Sequence, residues 1–321
     1  MATTLPAPEL VCPTASPFLG RRPDSVAYQT HHGRMVHGLS DEILKSGSLE
    51  RFEGRVNLVF TSPPFPLNRK KRYGNKIGEE YLEWLSAYGP LLKKLLTKNG
   101  SIVMEVGNAW EQGAPVMSTL PTRALLRFQE DNDLKLCQEF VWQNPAKLPS
   151  PAQWVNVDRV RVKDSFTKIW WMSPSEKPKA DNRRVLQEYS KSMKDLLKNG
   201  KYNAGKRPSE HNIGEESFLA DNGGAIPGSV LTYANTQAND EYQVYCRDNK
   251  IEPHPARMPI ALAGFFINFL TDPGDLVMDP FAGSNTTGSA AEKLSRFWLS
   301  IEAEEKYILG SLGRFTEFIS S

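Results

Sequence analysis

Residues 275–288 read DLVMDPFAGSNTTG: an apolar run, LVMD, then a glycine turn, then the small-residue start of a helix, NTTGSAAEKLS. A glycine turn between a strand and a helix lets backbone approach a ligand closely, and the helix N-terminus faces that ligand with unpaired N–H groups. Nineteen residues beyond Gly283, the next apolar run, FWLSIE, ends in Glu302. An acid about 20 residues past such a turn, at the end of the adjacent strand, is placed to accept hydrogen bonds from ribose hydroxyls. The expected ligand therefore contains a nucleoside. The full G-x-G-x-x-G spacing is absent, which argues against a nicotinamide dinucleotide and for a smaller nucleoside.

Outward from this stretch, the chain has an α/β rhythm. GRMVHG, SDEIL, VNLVF, EEYLEWLSAYGPLLKKLLTKNG and SIVMEVG alternate strand-like and helix-like runs in the first third, which predicts parallel strands joined by right-handed crossovers. In the long helical run Tyr81, Trp84, Leu85, Tyr88, Leu92, Leu95 and Leu96 recur at three- and four-residue spacing as one core-facing stripe, with Asn99-Gly100 as the stop. LKLCQEFVWQN and DSFTKIWWMS predict two further strands that pair as a hairpin across the proline-punctuated PAKLPSPAQWV, with Trp170 and Trp171 in the core. Residues 173–250 turn to Lys, Asn, Gly, Ser and Pro, with one helix around VLQEYSKSMKDLLKNG, and read as a lobe or long loops rather than sheet. MPIALAGFFINFLTDPGD then restores helix before the opening stretch. The expected organisation is a loose arm at 1–27, α/β domain at 28–172, an inserted lobe at 173–250 and the rest of the same domain at 251–321, all on a doubly wound, mostly parallel sheet.

Composition fits this. In 321 residues, 40% are hydrophobic and 24% charged, and no apolar run approaches the roughly 18 residues of a membrane span, so a soluble, cytoplasmic protein is expected. The N-terminus lacks a basic leader followed by an apolar stretch. Cys12, Cys137 and Cys246 are odd in number and scattered, which argues against a disulfide framework or a closed metal site. The net charge is only +2, but residues 173–211 alone carry +5, and a second basic knot, NRKKRYGN, occupies 68–75.

The knot follows FTSPPFPL at 60–67, where an apolar strand ends in a hydroxyl, two prolines and a ring. If VNLVF lies beside LVMD, both motifs sit at strand carboxyl ends and face one crevice. The prolines fix the backbone and remove two N–H groups, leaving the Ser62 and Pro63 carbonyls as acceptors. Ser62 adds a hydroxyl and Phe65 a flat face, which together suit an exocyclic amino group on a planar ring.

These residues carry a resemblance. TSPPF is similar to motif IV of amino-group DNA methyltransferases, DPFAGSNTTG to their S-adenosylmethionine loop, and HPARMP at 254–259 to the segment that precedes that loop in the permuted families. The order of motifs resembles the β class. NRKKRYGN, NPAKLPSPAQWVN, RVKDS and DNGGAIP bring the chain closest to the PvuII-type cytosine-N4-specific DNA methyltransferases, from about Tyr28 to Phe315. Two positions depart from the pattern. Asn285 replaces the second loop glycine, and asparagine adopts the left-handed conformation at small cost. Leu39 stands where members of the family often carry an acid near the cofactor, and Ser40 or Asp41 is expected to substitute.

The resemblance implies a Rossmann-like methyltransferase fold with an inserted DNA-recognition lobe, and methyl transfer from S-adenosylmethionine to cytosine N4 in flipped-out duplex DNA within a restriction-modification system. It implies Ser62, Pro63, Pro64 and Phe65 as catalytic residues. Asp279, Pro280, Phe281, Gly283, Ser284, Asn285, Thr286 and Glu302 would form the cofactor site, with His254 and Pro255 capping it. Of these, Asp279 reads first as the group that orients the loop at the strand end and second as a contact to the cofactor's amino group. Arg69, Lys70, Lys71, Arg72, Arg183 and Arg184 would hold DNA. A companion restriction endonuclease acting on the same site is an implied partner, a monomer suffices, and CAGCTG is the target to test. Carbon-5 chemistry, which needs a thiolate, is not expected, since no Pro-Cys dipeptide occurs. The rivals are adenine-N6 methylation with the same machinery, a non-catalytic DNA binder on this scaffold and, more distantly, an oxidoreductase.

Overall fold

The computed structural model describes residues 25–65, 76–200, 205–206, 212–213, 219–236 and 239–318. The chain divides into two compact units, residues 1–179 with 229–321 and residues 180–228.

In the larger unit the elements run β1 (Ser25–Gln29), β2 (Gly33–His37), α1 (Ser40–Lys45), β3 (Val56–Thr61), α2 (Gly78–Ser86), α3 (Tyr88–Leu95), β4 (Leu96–Val106), α4 (Leu120–Asp131), β5 (Lys135–Gln143) and β6 (Phe166–Ser173). The smaller unit follows with α5 (Lys191–Asn199), β7 (Gly205–Lys206) and β8 (Asn212–Ile213), the two short strands pairing antiparallel. The larger unit resumes with β9 (Val230–Thr232), α6 (Glu241–Asp248), α7 (Ile260–Leu270), β10 (Leu276–Asp279), α8 (Thr286–Lys293), β11 (Phe297–Glu302) and α9 (Glu305–Ser311).

Among the described residues, nine strands form one sheet in the order β1-β2-β11-β10-β3-β4-β6-β5-β9. The five strands from β2 to β4 are parallel to one another, and β6 joins β4 antiparallel. From β10 the chain crosses through α8 to β11 on one side, and from β3 it crosses through α2 and α3 to β4 on the other. The two connections diverge, so a crevice opens between the carboxyl ends of β10 and β3, where open α/β sheets bind ligands.

Both faces of the sheet are covered. Ile102, Met104 and Val106 alternate along β4 into a core with Tyr81, Leu85, Leu92, Leu125 and Phe128, while Phe60 of β3 packs against Phe266 of α7 with ring centroids 5.3 Å apart. A ring such as Phe60 or Phe266, wholly withdrawn from water, contributes about 2–3 kcal/mol.

The strands expected from the sequence form, and β5 and β6 pair as the predicted hairpin. Trp170 and Trp171 are buried, and Trp171 Nε1 donates to Ser101 Oγ at 2.8 Å. Three expectations are corrected. The single long helix is two, α2 and α3, because Pro90 has no N–H to offer the Ser86 carbonyl; Asn132 Nδ2 donates to that carbonyl instead, at 3.1 Å. Asn99-Gly100 is not the stop. Leu96 already has extended backbone, φ −66 and ψ 145, and pairs with Val56, so the strand begins there and the glycine lies inside it. Finally, residues 229–250 do not belong with the polar segment before them. Val230–Thr232 adds to the sheet beside Val141–Gln143, and α6 buries Tyr242 and Cys246. A three-residue strand held by backbone hydrogen bonds leaves little trace in composition.

The expected arm of 1–27 also overlaps β1 from Ser25, and its remainder lies outside the described residues. In the smaller unit the expected helix is shorter than its sequence run. Ser190 caps it by accepting from Met193 N–H at 3.3 Å, and Gly200, φ +61, ends it.

Candidate functional site

The cofactor-like loop is anchored from three sides. Asp279, buried at the end of β10, accepts from Thr61 Oγ1 at 2.7 Å and from Phe281 N–H at 3.0 Å with one oxygen, and from Thr287 Oγ1 at 2.7 Å with the other. It thereby ties the ends of β3 and β10 to the start of α8, and burial raises its carboxyl above the usual range. Asn285 adopts the left-handed conformation, φ +52 and ψ 44, as its side-chain chemistry allows. Its Oδ1 caps α8 by accepting from Gly288 N–H at 3.1 Å and takes a second bond from Ser300 Oγ at 2.7 Å, while Nδ2 donates to Tyr28 Oη at 3.0 Å. Ser284 and Thr286 are buried, with their hydroxyls 3.3 Å apart. The Pro280 carbonyl accepts from Ser40 Oγ at the start of α1, so Ser40 is bound to the loop; Leu39 is exposed, and Asp41 pairs with Lys45 at 3.5 Å. Phe281 packs on Tyr88, centroids 5.1 Å apart.

The open part of the loop is Gly283 and its surroundings. Gly283 has φ +52, and a Cβ there would lie 3.2 Å from His254 Nε2, so the imidazole sits directly over the turn. His254 is held by Tyr242 Oη, which accepts its N–H at 2.7 Å, and by ring contact with Tyr307; Pro255 beside it is exposed. Glu302 ends β11 and accepts from Gly283 N–H at 2.7 Å and from Glu304 N–H at 2.8 Å, one bond per oxygen. A carboxylate oxygen accepts two bonds, so each keeps capacity for a hydroxyl. Burial pushes the Glu302 carboxyl up to about 7, the three backbone N–H groups around it opposing this only in part. The turn fits a ribose diol: an acceptor pair beside a backbone with no side chain in the way.

One strand away, Thr61 ends β3 and Ser62-Pro63-Pro64-Phe65 follows. Ser62 Oγ donates to Glu105 Oε2 of β4 at 2.5 Å. Tyr81 Oη donates to the Pro64 carbonyl at 2.8 Å, and no described residue donates to the carbonyls of Ser62 or Pro63. Phe65 lies against Gly107, where a Cβ would come within 2.5 Å of its ring. Glu105 is buried, and although the Thr167 hydroxyl stands beside its carboxyl, neither Glu105 Oε1 nor Thr167 Oγ1 makes a well-formed hydrogen bond among the described residues. Burial raises its carboxyl, while the Ser62 hydrogen bond, the neighbouring Thr167 hydroxyl and the charge of Lys147 pull the other way. Lys147 is held 3.1 Å from Asp164, which also accepts from Asn108 Nδ2 at 2.9 Å.

Two strand ends therefore present, side by side, a turn that could take a ribose diol and a proline-fixed cluster of acceptors beside a ring. The DNA methylase family profile matches residues 56–311. The type II methyltransferase M.PvuII of Proteus hauseri is 43% identical over 300 residues, 93% of this chain and 87% of that protein. The chain belongs to the DNA methylase family. The solved structure of PvuII DNA methyltransferase (cytosine-N4-specific) matches with a TM-score of 0.73 at 37% identity, over 93% of this chain and 91% of that one. A complex of M1.HpyAVI with S-adenosylmethionine matches at 0.52 and 20% identity, over 88% and 99%, a likeness of fold.

The structure of this DNA methylase brings Ser62–Phe65, Gly283, Glu302 and His254 to one edge of the sheet, and turns Asp279 and Asn285 inward to hold the loop. Arg183 and Arg184 belong to the smaller unit, where both pair with Asp181, at 2.8 and 3.6 Å. Arg69, Lys70, Lys71 and Arg72 lie outside the described residues. Sequence reasoning missed Glu105 and its neighbours Lys147 and Asp164. One signal was available: Glu105 is the single charge in the run SIVMEVG, at a position a strand buried on both faces gives to apolar residues.

Proposed function

We infer that this DNA methylase transfers a methyl group to the N4 amino nitrogen of cytosine in duplex DNA, with S-adenosylmethionine as the donor. The observation that carries the chemistry is the Ser62–Glu105 hydrogen bond at the end of β3, beside the turn of Gly283 and Glu302. When bound, S-adenosylmethionine supplies an electrophilic methyl on sulfur. Glu302 would accept hydrogen bonds from the ribose hydroxyls, and Gly283 would let that end of the ligand reach the backbone.

The cytosine amino lone pair is delocalised into the ring, so it is a poor nucleophile until the nitrogen turns tetrahedral. Ser62 directs its own proton at Glu105, which leaves the Oγ lone pairs facing the pocket as acceptors. Hydrogen bonds from the amino group to Ser62 Oγ and the Pro63 carbonyl favour the tetrahedral nitrogen over the planar one, which is the differential binding that lowers a barrier. As the N–C bond forms, the methyl–sulfur bond would break with its electron pair staying on sulfur as a neutral thioether, and the nitrogen loses a proton to Ser62 Oγ while Ser62 passes its own to Glu105. A carboxylate made more basic by burial suits that task better than an exposed one. Phe65 stacks the base, and a base inside a duplex reaches this pocket only by flipping out.

The reading extends to partners. The smaller unit, with Arg183 and Arg184, is proposed to contact DNA as the recognition lobe, a monomer suffices for the reaction, the cytoplasm is the proposed compartment, and a companion endonuclease acting on the same site is the proposed partner. Among the described residues no helix is long and apolar enough to cross a membrane. The test is incubation with methyl-labelled S-adenosylmethionine and plasmid DNA carrying CAGCTG, digestion to nucleosides, and identification of the labelled one. N4-methylcytosine that is lost in Ser62→Ala is expected. Label on adenine would overturn the base assignment, and tight DNA binding with no label would make the protein a binder on this scaffold.

A further inference from the structure

The loop between β5 and β6 stands at the same edge of the sheet as the site. Its base is closed by Asn144 N–H donating to the Ser165 carbonyl at 2.8 Å, and Asp164 joins it to Asn108, just beyond the strand of Glu105. Its interior is well bonded. Val160 and Arg161 N–H both donate to the Trp154 carbonyl, Asp164 N–H to that of Ser150, and Arg161 Nε to that of Pro115, while the Trp154 ring rests on Trp110. Yet this ordered loop turns branched aliphatics outward: Leu148 is 79% exposed, Val162 87%, and Val157 and Val160 more than half. Basic residues alternate with them. Arg159, Arg161 and Lys163 are exposed, and Arg159 has no partner among the described residues, whereas Asp158 is the one exposed acid between residues 145 and 163.

Exposed aliphatics on a rigid loop mark a surface that meets a partner, and interleaved positive charge selects a polyanion. Flipping a base leaves an apolar gap between stacked neighbours, flanked by phosphates, and apolar side chains fill such gaps elsewhere. We propose that the β5–β6 loop enters the DNA duplex beside the pocket, with Val162 and Leu148 occupying the space vacated by the flipped cytosine and Arg159 holding a flanking phosphate. The proposal rests on the reading of the protein as a DNA methyltransferase.

The test compares the parent protein with the double variant Leu148→Ser, Val162→Ser on two duplexes, one with the target cytosine opposite guanine and one with it opposite an abasic site, where flipping costs little. The variant is expected to lose roughly 10- to 100-fold in kcat/KM on the paired duplex, since unstacking is worth a few kcal/mol, and to come within about threefold of the parent on the abasic one. S-adenosylmethionine binding and the melting temperature should not move. Equal loss on both duplexes, or no loss on either, overturns the proposal. A parent that methylates neither duplex overturns the functional reading beneath it. Arg159→Ala should in addition lower the slope of log affinity against log salt by about one, and an unchanged slope would remove Arg159 from the phosphate contact.

Discussion

The two turns at the edge of the sheet are built on opposite terms. After β10, Asp279 and Asn285 engage all their side-chain polar atoms within the protein, in bonds that run to β3, α8, β11 and Tyr28. After β3, Glu105 is buried with one oxygen bonded to Ser62 and the other without a hydrogen bond among the described residues. A buried acceptor left unpaired costs about 1–3 kcal/mol, which singles out this carboxyl for a test of the proposed proton transfer. The first turn is a rigid cradle that exists before its ligand. In the proposed mechanism the second turn keeps acceptor capacity for the proton that the amino nitrogen loses.

That contrast can be broken at either end. The largest effect is expected at Ser62→Ala, with kcat for methyl transfer falling about 10²–10⁴-fold while the dissociation constant for S-adenosylmethionine stays unchanged; an equal loss in cofactor binding would merge the two turns into one unit. Glu105→Gln should cost about 10²-fold and should also remove the acidic limb from the pH profile of kcat measured at saturating S-adenosylmethionine, where Glu302 no longer contributes. In the parent the base must be ionised, and burial raises its carboxyl. Activity should therefore fall with decreasing pH above the range of an ordinary glutamate. A parent profile flat down to pH 5 would take Glu105 out of the proton path.

Asn285→Ala tests the cradle. It combines a left-handed alanine with the loss of three buried hydrogen bonds, and urea denaturation should report about 3 kcal/mol less stability. A change below about 1 kcal/mol would show that the loop does not depend on its internal bonds. Gly107→Ala drives a methyl into the Phe65 ring, and kcat/KM for DNA should drop about tenfold with cofactor affinity intact, because a displaced ring misplaces the base. The smallest effect is a titration. With the Glu302 carboxyl at about 7 in the free protein, and its ionised form favoured by ribose hydroxyls, binding should release a proton and affinity should fall about fivefold from pH 7 to pH 6. Calorimetry in buffers of different ionisation enthalpy measures that proton, and Glu302→Gln should abolish it.

The legible features were those that depend on neighbours along the chain. The turn of Gly283, the acid at Glu302, the prolines after Ser62 and the left-handed Asn285 follow from local backbone chemistry at fixed spacing, and the structure has each where that chemistry puts it. The helix split at Pro90 is also local, but the apolar stripe runs unbroken through Tyr88 and Leu92 and hides a missing hydrogen bond that Asn132 supplies from α4. Glu105 was harder still. An acid in a strand becomes a site only through what faces it, and Ser62 lies 43 residues away.

The amino-acid sequence by itself determined an α/β chain, a glycine turn followed by an acid at the end of the next strand, a proline-fixed acceptor cluster and, through motif resemblance, the family, because these reside in residue types at short spacing. Only the tertiary structure set β10 beside β3, so that the two turns share a crevice. It also joined Ser62 to a buried glutamate and gave Val230–Thr232 to the sheet. Those features are pairings between distant segments, whose hydrogen bonds and burial come into being when the sheet closes.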